Sequence, residues 1–350
     1  MTKEELQEII ESKRNNLKSD RLDMSFGEIA SMYSQDEIII DPEYQRLFRW
    51  SQEQQSRFIE SILLGIPIPP IFVAENKDGI WEVVDGLQRI STILSFMGIL
   101  KNMPEKNNWK LKTGDLIKEI DGFGYTELTP KTQMTIKRFV CRIEILNWNS
   151  KIDIRYELFN RLNTGGTKLS DQEIRNCIFR GTDSYVNDYL KELADNEDFI
   201  NLTSISETQI EQLYLQELVL RFTTLYSSWE NISSSINSYM TEYMKEIVEN
   251  KSLNVDEYKT IFSKTLNILK PLTSKIFRFS HAGFSASLFD AIFIGVSKNL
   301  DKYELAPELV PQKIEELKNN SEFRENTGSA ASSQTRVKNR IKIALEIFGR

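Results

Sequence analysis

The residues best suited to chemistry stand together in VDGLQR, where a strand-like apolar run stops at Asp85 and an amphipathic helix pattern follows. The first N–H groups of a helix lack backbone partners and lie at the positive end of the helix dipole, so such a junction can bind an anion. Gly86 would allow close backbone approach, and Arg89 could present a fork of donors to a phosphate. Gln88 could orient a water molecule or a ribose hydroxyl. Asp85 could hold a metal ion or activate water.

A purely structural interpretation of the same residues is favoured when the motif stands alone. In that interpretation Asp85 caps the helix, Gly86 makes the turn and Arg89 is a surface residue.

A second candidate is DPEYQRLFRW, in which Arg46 and Arg49 alternate with aromatic residues just before a well-capped helix. Guanidinium groups suit phosphates, and aromatic rings can form a platform for a base. The alternative is ordinary packing of the rings below a sheet with solvated arginines. For Phe48 and Trp50 packing is the favoured role.

A third candidate is FNRLNTGGTKLS, where one helix pattern ends at Asn163 and Ser170 caps the next. The pair Gly165-Gly166 exceeds what a helix end needs. The loop could close over a ligand with its backbone amides, with Asn163 and Thr167 facing the ligand, or it could only turn a corner between helices.

The elements that must position these motifs form an α/β pattern in the first part of the chain. Strand, helix, strand, strand and helix follow one another with short connections at 37–40, 51–65, 71–75, 80–85 and 87–100, and 139–146 is a strand that could join the same sheet. Residues 101–126 have the composition of an inserted loop or lid.

From about residue 150 helix follows helix. We therefore expect an α/β (α+β) domain over residues 1–149 and an all-α helical domain over residues 150–350. The later helices are expected at about 184–195, 206–225, 230–249, 255–277, 284–299 and 306–318.

Composition excludes several classes of protein. The chain has 350 residues, 40% hydrophobic and 27% charged, with a net charge of −7, as in globular proteins that bury a core. Cys141 and Cys177 lack metal-type spacing and are expected to be buried, reduced thiols of a cytoplasmic protein. The most apolar stretch, 61–74, is too short and too rich in proline to span a membrane. A chain with a single histidine, His281, is not an HNH nuclease or a His-dependent hydrolase, and His281 is expected to be structural or an exposed loop residue.

The closing segment 334–350 is basic and carries Arg336, Lys338 and Arg340. It could bind DNA phosphates, or it could be the solvated face of a terminal helix, which is the commoner case. The preceding stretch, 320–333, has few apolar residues and is expected to be poorly ordered.

Taken together, PEYQR…W, SILLGIPIPPIFV, VVDGLQRISTI and FNRLNTGGTKLS…EIRN resemble, in order and spacing, the N-terminal domain of GmrSD-type restriction enzymes. This is a ParB/sulfiredoxin-like family marked by a DGQQR motif, and the resemblance covers about residues 35–180. It implies a domain that binds and hydrolyses nucleoside triphosphate (NTP) with Mg²⁺ in bacterial defence against phage DNA.

By motif, Gln45 and Arg46 match the family's QR pair, the VDGLQR residues match DGQQR, and the Gly-Gly loop matches LNxxG. The nucleotide site expected from the three motifs consists of Gln45, Arg46, Arg49, Asp85, Gly86, Gln88, Arg89, Asn163, Thr164, Gly165, Gly166 and Thr167. Asp85, Gln88 and Arg89 would be its catalytic residues, and Asp85 its metal ligand.

The chain departs from the family pattern at Leu87, where relatives usually have glutamine. A leucine at a helix start can turn into the core, which leaves nucleotide binding possible but removes any catalytic role for that amide. Many relatives also carry an HNH nuclease, for which this chain lacks the histidines, so a separate nuclease or other defence subunit is expected as a partner.

The leading hypothesis is thus a nucleotide-dependent regulator or sensor, possible NTPase and possible homo-oligomer, acting on or with DNA. The alternative is a DNA-binding or DNA-modification-sensing protein of ParB-like fold without catalysis.

Overall fold

A computed structural model describes residues 1–15, 19–40, 50–76, 78–101, 103–146, 169–180, 184–279, 283–328 and 330–350. The chain divides into two compact units, Met1–Lys168 (unit 1) and Leu169–Arg350 (unit 2). The domain boundary expected at residues 149–150 lies outside the described residues, as does His281.

Unit 1 combines a mixed sheet with helices. Its described elements are α1 (Lys3–Asn15), β1 (Ser19–Ser25), α2 (Phe26–Ser34), β2 (Ile38–Ile39), α3 (Gln52–Leu63), β3 (Ile71–Glu75), β4 (Trp81–Asp85), α4 (Leu87–Phe96), α5 (Pro130–Arg138) and β5 (Val140–Leu146). The strand order is β1-β5-β3-β4-β2. β3 pairs antiparallel with β4 and parallel with β5, and β1 pairs antiparallel with β5. The α/β architecture, the β3–β4 hairpin and the place of β5 in the sheet are confirmed.

Helix α3 begins and ends where its sequence signals predict. The Ser51 hydroxyl accepts a hydrogen bond from the Gln54 N–H (3.3 Å), and the Gln54 side chain accepts one from the Ser51 N–H (2.9 Å), which completes a capping box. Gly65 follows the last turn with φ +71°. The apolar stripe of α3 is buried in one core with α4 and the sheet, through Phe58, Ile59, Ile62, Ile71, Val73, Ile90 and Ile93.

The segment expected to be an inserted loop or lid is anchored to α3. The buried Glu60 carboxylate accepts hydrogen bonds from the backbone N–H groups of Asp115 (3.2 Å), Leu116 (2.8 Å) and Ile117 (2.6 Å). A buried carboxylate is tolerated when several donors satisfy it in this way. Since Trp109 also donates to the Ser95 hydroxyl (3.0 Å), this segment is part of the packed core and not a free lid.

The described residues of unit 2 form helices joined by turns and loops, with no strand among them. Its helices are α6 (Asp171–Arg180), α7 (Tyr185–Ala194), α8 (Glu197–Thr203), α9 (Glu207–Glu211), α10 (Tyr214–Ser228), α11 (Ile236–Asn250), α12 (Val255–Leu269), α13 (Ala286–Ser297), α14 (Leu300–Leu305), α15 (Val310–Asn319), α16 (Ser321–Glu325) and α17 (Gln334–Gly349). The all-α character predicted for the C-terminal part is confirmed. None of the helices described is both long and apolar enough to cross a membrane.

Helix α13 is the centre of unit 2. Every residue from Ser287 to Ser297 is buried, and α10, α12 and α17 pack around the helix. A helix that is apolar on all sides requires such burial. At Gly295 an added Cβ would lie 2.5 Å from the Phe348 ring, so the absence of a side chain sets how closely α13 and α17 approach.

A buried charge cluster crosses this helical core. Arg221 on α10 donates two hydrogen bonds to the Asp290 carboxylate on α13, at 2.8 and 2.6 Å. Arg340 on α17 approaches the same carboxylate at 3.6 Å and donates to the carbonyls of Asn326 (2.8 Å) and Ala331 (2.7 Å). Two residues of the 320–333 stretch, expected to be poorly ordered, are thus tied to α17.

Both cysteines are buried thiols, as predicted. Burial raises the pKa of the Cys141 thiol to about 12, although the neighbouring Arg89 guanidinium opposes the shift. The thiol is therefore protonated in the native protein at neutral pH, and thiolate is the reactive form.

We expect a disulfide reagent at pH 8 to label neither cysteine in the native chain and both in denaturant. Folding raises the pKa of Cys141, so the protonated thiol contributes to the free energy of unfolding. This contribution is complete below the pKa of the unfolded thiol and is lost as the pH rises towards about 12. Rapid labelling of a native thiol at pH 8 would contradict the burial of these side chains.

Candidate functional site

The junction between β4 and α4 is built around a glycine. β4 ends at Asp85, Gly86 has φ +101° and ψ 8°, and α4 begins at Leu87. An ideal Cβ on Gly86 would lie 2.8 Å from Cγ1 of Ile71, so a side chain is excluded both by backbone conformation and by the neighbouring strand. Gly86 is the N-cap residue and, having no side chain, makes no side-chain cap hydrogen bond to the first turn of α4. A glycine at the N-cap gives the first turn none of the acceptors that a Ser, Thr, Asn or Asp side chain would supply there.

Arg89 is held inside unit 1 and is only 8% exposed. Its Nη1 donates to the carbonyls of Pro69 (2.5 Å) and Pro70 (3.1 Å), and its Nη2 donates to Oδ2 of Asp85 (3.0 Å). Burial lowers the pKa of this guanidinium, while the Asp85 charge opposes the shift. Arg89 therefore fastens the loop before β3 to the β4–α4 junction and orients the Asp85 carboxylate.

The Asp85 side chain remains 42% exposed while its Oδ2 accepts the bond from Arg89. The structural interpretation, with Asp85 as helix cap and Arg89 at the surface, is wrong on both points. Among the described residues no group of three or more His, Cys, Asp or Glu side chains could hold a metal ion. Asp85 can thus offer a cation one carboxylate, the usual protein share for Mg²⁺ bound to phosphates.

The first turn of α4 also contacts the start of α3. Leu87 is buried in the core, as its place at a helix start predicts. The Gln88 Oε1 accepts a hydrogen bond from the Trp50 N–H (3.2 Å), and the Trp50 ring packs edge-on against Phe58 with 5.4 Å between centroids. Gln88 therefore ties α4 to the residue that directly follows the QRLFR segment. The packing role predicted for Trp50 is confirmed.

The partners of Arg89 were missed in the sequence. The signal available was the proline-rich stretch IPIPP before β3, because prolines offer carbonyl acceptors but no N–H donors and leave those acceptors for a side chain.

The other expected nucleotide-site residues lie outside the described residues: Gln45, Arg46, Arg49, Asn163, Thr164, Gly165, Gly166 and Thr167. The helix expected after the Gly-Gly loop is present as α6. Its capping box is formed by the Ser170 hydroxyl, which accepts from the Glu173 N–H (3.1 Å), and by the Glu173 carboxylate, which accepts from the Ser170 N–H (2.7 Å).

The basic residues considered for DNA binding do not form a fully solvated helix face. Arg340 is 1% exposed and bound to Asp290, so its guanidinium cannot reach a DNA phosphate from this position. Arg336 is half-buried and donates to the Thr327 carbonyl (3.3 Å), and Lys338 is also half-buried. Two of the three basic residues considered for DNA, Arg336 and Arg340, are thus engaged within unit 2.

Residues 27–180 match the family described as the GmrSD restriction endonuclease N-terminal domain. No curated protein and no solved structure matches the chain. The family match covers the β4–α4 junction, the proline loop and the start of α3, which build the site described above, and it also includes α6 of unit 2. Residues 27–180 therefore form a domain of the GmrSD restriction endonuclease N-terminal family, and this family implies a component of a restriction-type defence system.

Proposed function

We propose that the N-terminal domain binds an NTP with its phosphates at the first turn of α4, and that this binding regulates the restriction of DNA by a separate nuclease. The observation that carries the proposal is a helix N-terminus that begins at a glycine with φ +101°, beside a partly exposed carboxylate.

The phosphate end would rest on the N–H groups at the start of α4. Gly86 provides no side chain between these amides and a ligand, and the ten-residue helix adds the positive end of its dipole. Arg89 contributes in two ways. Its charge lies within the junction, and three of its five donors hold Asp85 and the proline loop in place.

The residues present fit a Mg²⁺ ion bound together with phosphates. Asp85 would hold the ion through its exposed carboxylate, and the metal would neutralise charge on the phosphates. Since Arg89 fixes Oδ2 of this carboxylate, its orientation is set before any ligand arrives.

Hydrolysis makes stricter demands than binding. Leu87 lies in the core and has no side-chain amide, and the Oε1 of Gln88 is used by the Trp50 N–H. We therefore assign Gln88 chiefly a positioning role and Asp85 the activation of water, which would give slow turnover.

A ligand can switch a protein between two conformations only when it makes different contacts with each of them. The Gln88–Trp50 bond supplies a route, because it links the proposed phosphate site to the start of α3 and to the QRLFR segment. Nucleotide occupancy would thus be communicated to that segment and, through it, to DNA or to the nuclease partner.

The test is thermal unfolding with ATP, GTP, CTP and UTP, each with Mg²⁺ and with chelator. We expect at least one NTP to raise Tm by about 5 °C or more at about 100-fold its Kd, since ligands of the native state stabilise it by mass action. Asp85→Asn should lose the Mg²⁺-dependent part of the shift, because the amide still accepts from Arg89 but binds the metal poorly.

The matched control is Asp121→Asn, an exposed aspartate of the same unit, which should retain the full shift. Phosphate release measured in the same samples separates binding from turnover. An unchanged Tm with all four nucleotides would refute the proposal.

A further inference from the structure

At one edge of the described sheet of unit 1 lies a seven-residue strand, and its residues 20–23 are exposed. β1 (SDRLDMS) is the first strand in the order β1-β5-β3-β4-β2 and pairs with β5 in the described sheet. Leu22, at the centre of β1, is 46% exposed. An edge strand presents backbone groups that can pair with another strand, and proteins normally protect such edges.

The residues of β1 are complementary to those of a second β1 in one register. When two copies continue a sheet about a two-fold axis, residues opposite each other must point to the same face of the sheet. The axis must therefore lie midway between the same residue of the two strands, and it is described here as an axis through that residue. An axis through Leu22 places Arg21 opposite the second copy's Asp23 on both sides of it. An axis through Arg21 or Asp23 would oppose like charges, and one through Asp20 or Met24 would separate the Arg–Asp pairs.

The charges next to this edge extend the same pattern. Within one chain Arg21 pairs with Glu144 (2.9 Å) and Asp23 pairs with Arg142 (3.2 Å), each across β1 and β5. In the Leu22-centred register each row across four strands would run Arg142, Asp23, then Arg21 and Glu144 of the second copy. Charge alternates at every step, and cross-strand pairs of opposite charge stabilise a sheet.

The other side of the strand contributes apolar contact. Leu22 lies opposite Ile143 and Met24 lies opposite Cys141, and both residues of β5 are buried in the core. Leu22 therefore sits on the core-facing side at the open edge. In the same register it would meet Leu22 of the second copy on the two-fold axis, and this burial would remove an exposed leucine from water.

We infer that two copies of this chain associate through β1, antiparallel and centred on Leu22, so that two five-stranded sheets become one. Charged residues can also protect an edge against association. Here, however, the charges of Arg21 and Asp23 are paired within the chain and match those of a second copy of the same strand. The inference is independent of the nucleotide site.

Leu22→Lys tests this interface by placing two like charges opposite each other on the axis. We expect the unchanged chain at about 50 µM to sediment with the mass of two chains, and the variant to raise the dimer dissociation constant by about tenfold or more. Leu64→Lys is the matched control, since Leu64 is 43% exposed at the end of α3, and it should remain dimeric.

Leu22→Cys gives a readout that does not depend on loss of folding. Because both native cysteines are buried, mild oxidation should link two chains through position 22. Leu64→Cys at the same concentration should stay unlinked. A single-chain mass for the unchanged protein, or a dimer that Leu22→Lys leaves intact, would overturn the inference.

Discussion

Replacing Asp290 with alanine is expected to lower the free energy of unfolding by about 3–5 kcal/mol. Asp290 is the only acidic partner among the described residues for Arg340, and it accepts both short bonds from Arg221. Burial alone would lower the pKa of Arg221, but the Asp290 charge outweighs this effect and holds the pKa above its ordinary value. Burial lowers the pKa of Arg340 to about 10. Both guanidinium groups thus remain charged at neutral pH, and the variant would leave two buried cations unpaired.

Urea unfolding of the full chain, followed by circular dichroism, measures this loss. Asp290→Asn should lose less, because the amide oxygen still accepts a hydrogen bond. Asp198→Ala removes the partner of Lys270 in an exposed pair (3.1 Å) and should cost less than about 1 kcal/mol. A loss for Asp290→Ala that is no greater than that of Asp198→Ala would contradict this account of the core.

Local signals in the sequence predicted most of unit 1. The capping box of α3, the β3–β4 hairpin and the strand β5 depend on neighbouring residues, and all three are confirmed. β1 and α2 were missed. The Ser25–Glu28 capping box was an available signal for α2, but β1 pairs with β5 across more than a hundred residues, which no local pattern contains.

Two helices predicted in unit 2 have the wrong bounds, and in each case the cause is local and does not affect the hydrophobic periodicity. The helix expected over 206–225 is two helices, because Leu213 adopts φ +57° between them. The helix expected over 255–277 ends at Leu269, just before Pro271, whose ring and missing N–H interrupt a helix. In both cases the apolar pattern continues through residues at which the helix is interrupted.

The candidate site shows a different limit. Sequence identifies Asp85, Gly86 and Arg89 as a group, but it cannot tell a surface arginine from a buried one. The difference lies in the Pro69 and Pro70 carbonyls, which reach Arg89 only after β3 and β4 have paired. Likewise, the buried place of Arg340 depends on Asp290, which belongs to another helix.

Gly86→Ala is expected to lower the free energy of unfolding by about 2–4 kcal/mol, from two separate costs. A non-glycine residue at φ +101° is strained by about 1–2 kcal/mol, and a Cβ 2.8 Å from Cγ1 of Ile71 forces strand β3 or helix α4 to move. Such a movement would also shift the carbonyls of Pro69 and Pro70 relative to Arg89. We therefore expect nucleotide-dependent stabilisation to weaken together with folding.

Gly65→Ala separates the two costs. Gly65 has φ +71°, but no atom lies within 4 Å of its ideal Cβ, so this variant carries the conformational strain without the collision. The difference in unfolding free energy between the two variants, measured in urea, isolates the contact with Ile71. Equal losses would mean that the close approach of β3 to Gly86 contributes nothing. In that case the glycine would serve the backbone turn alone, and the junction would tolerate a side chain beside the proposed phosphate site.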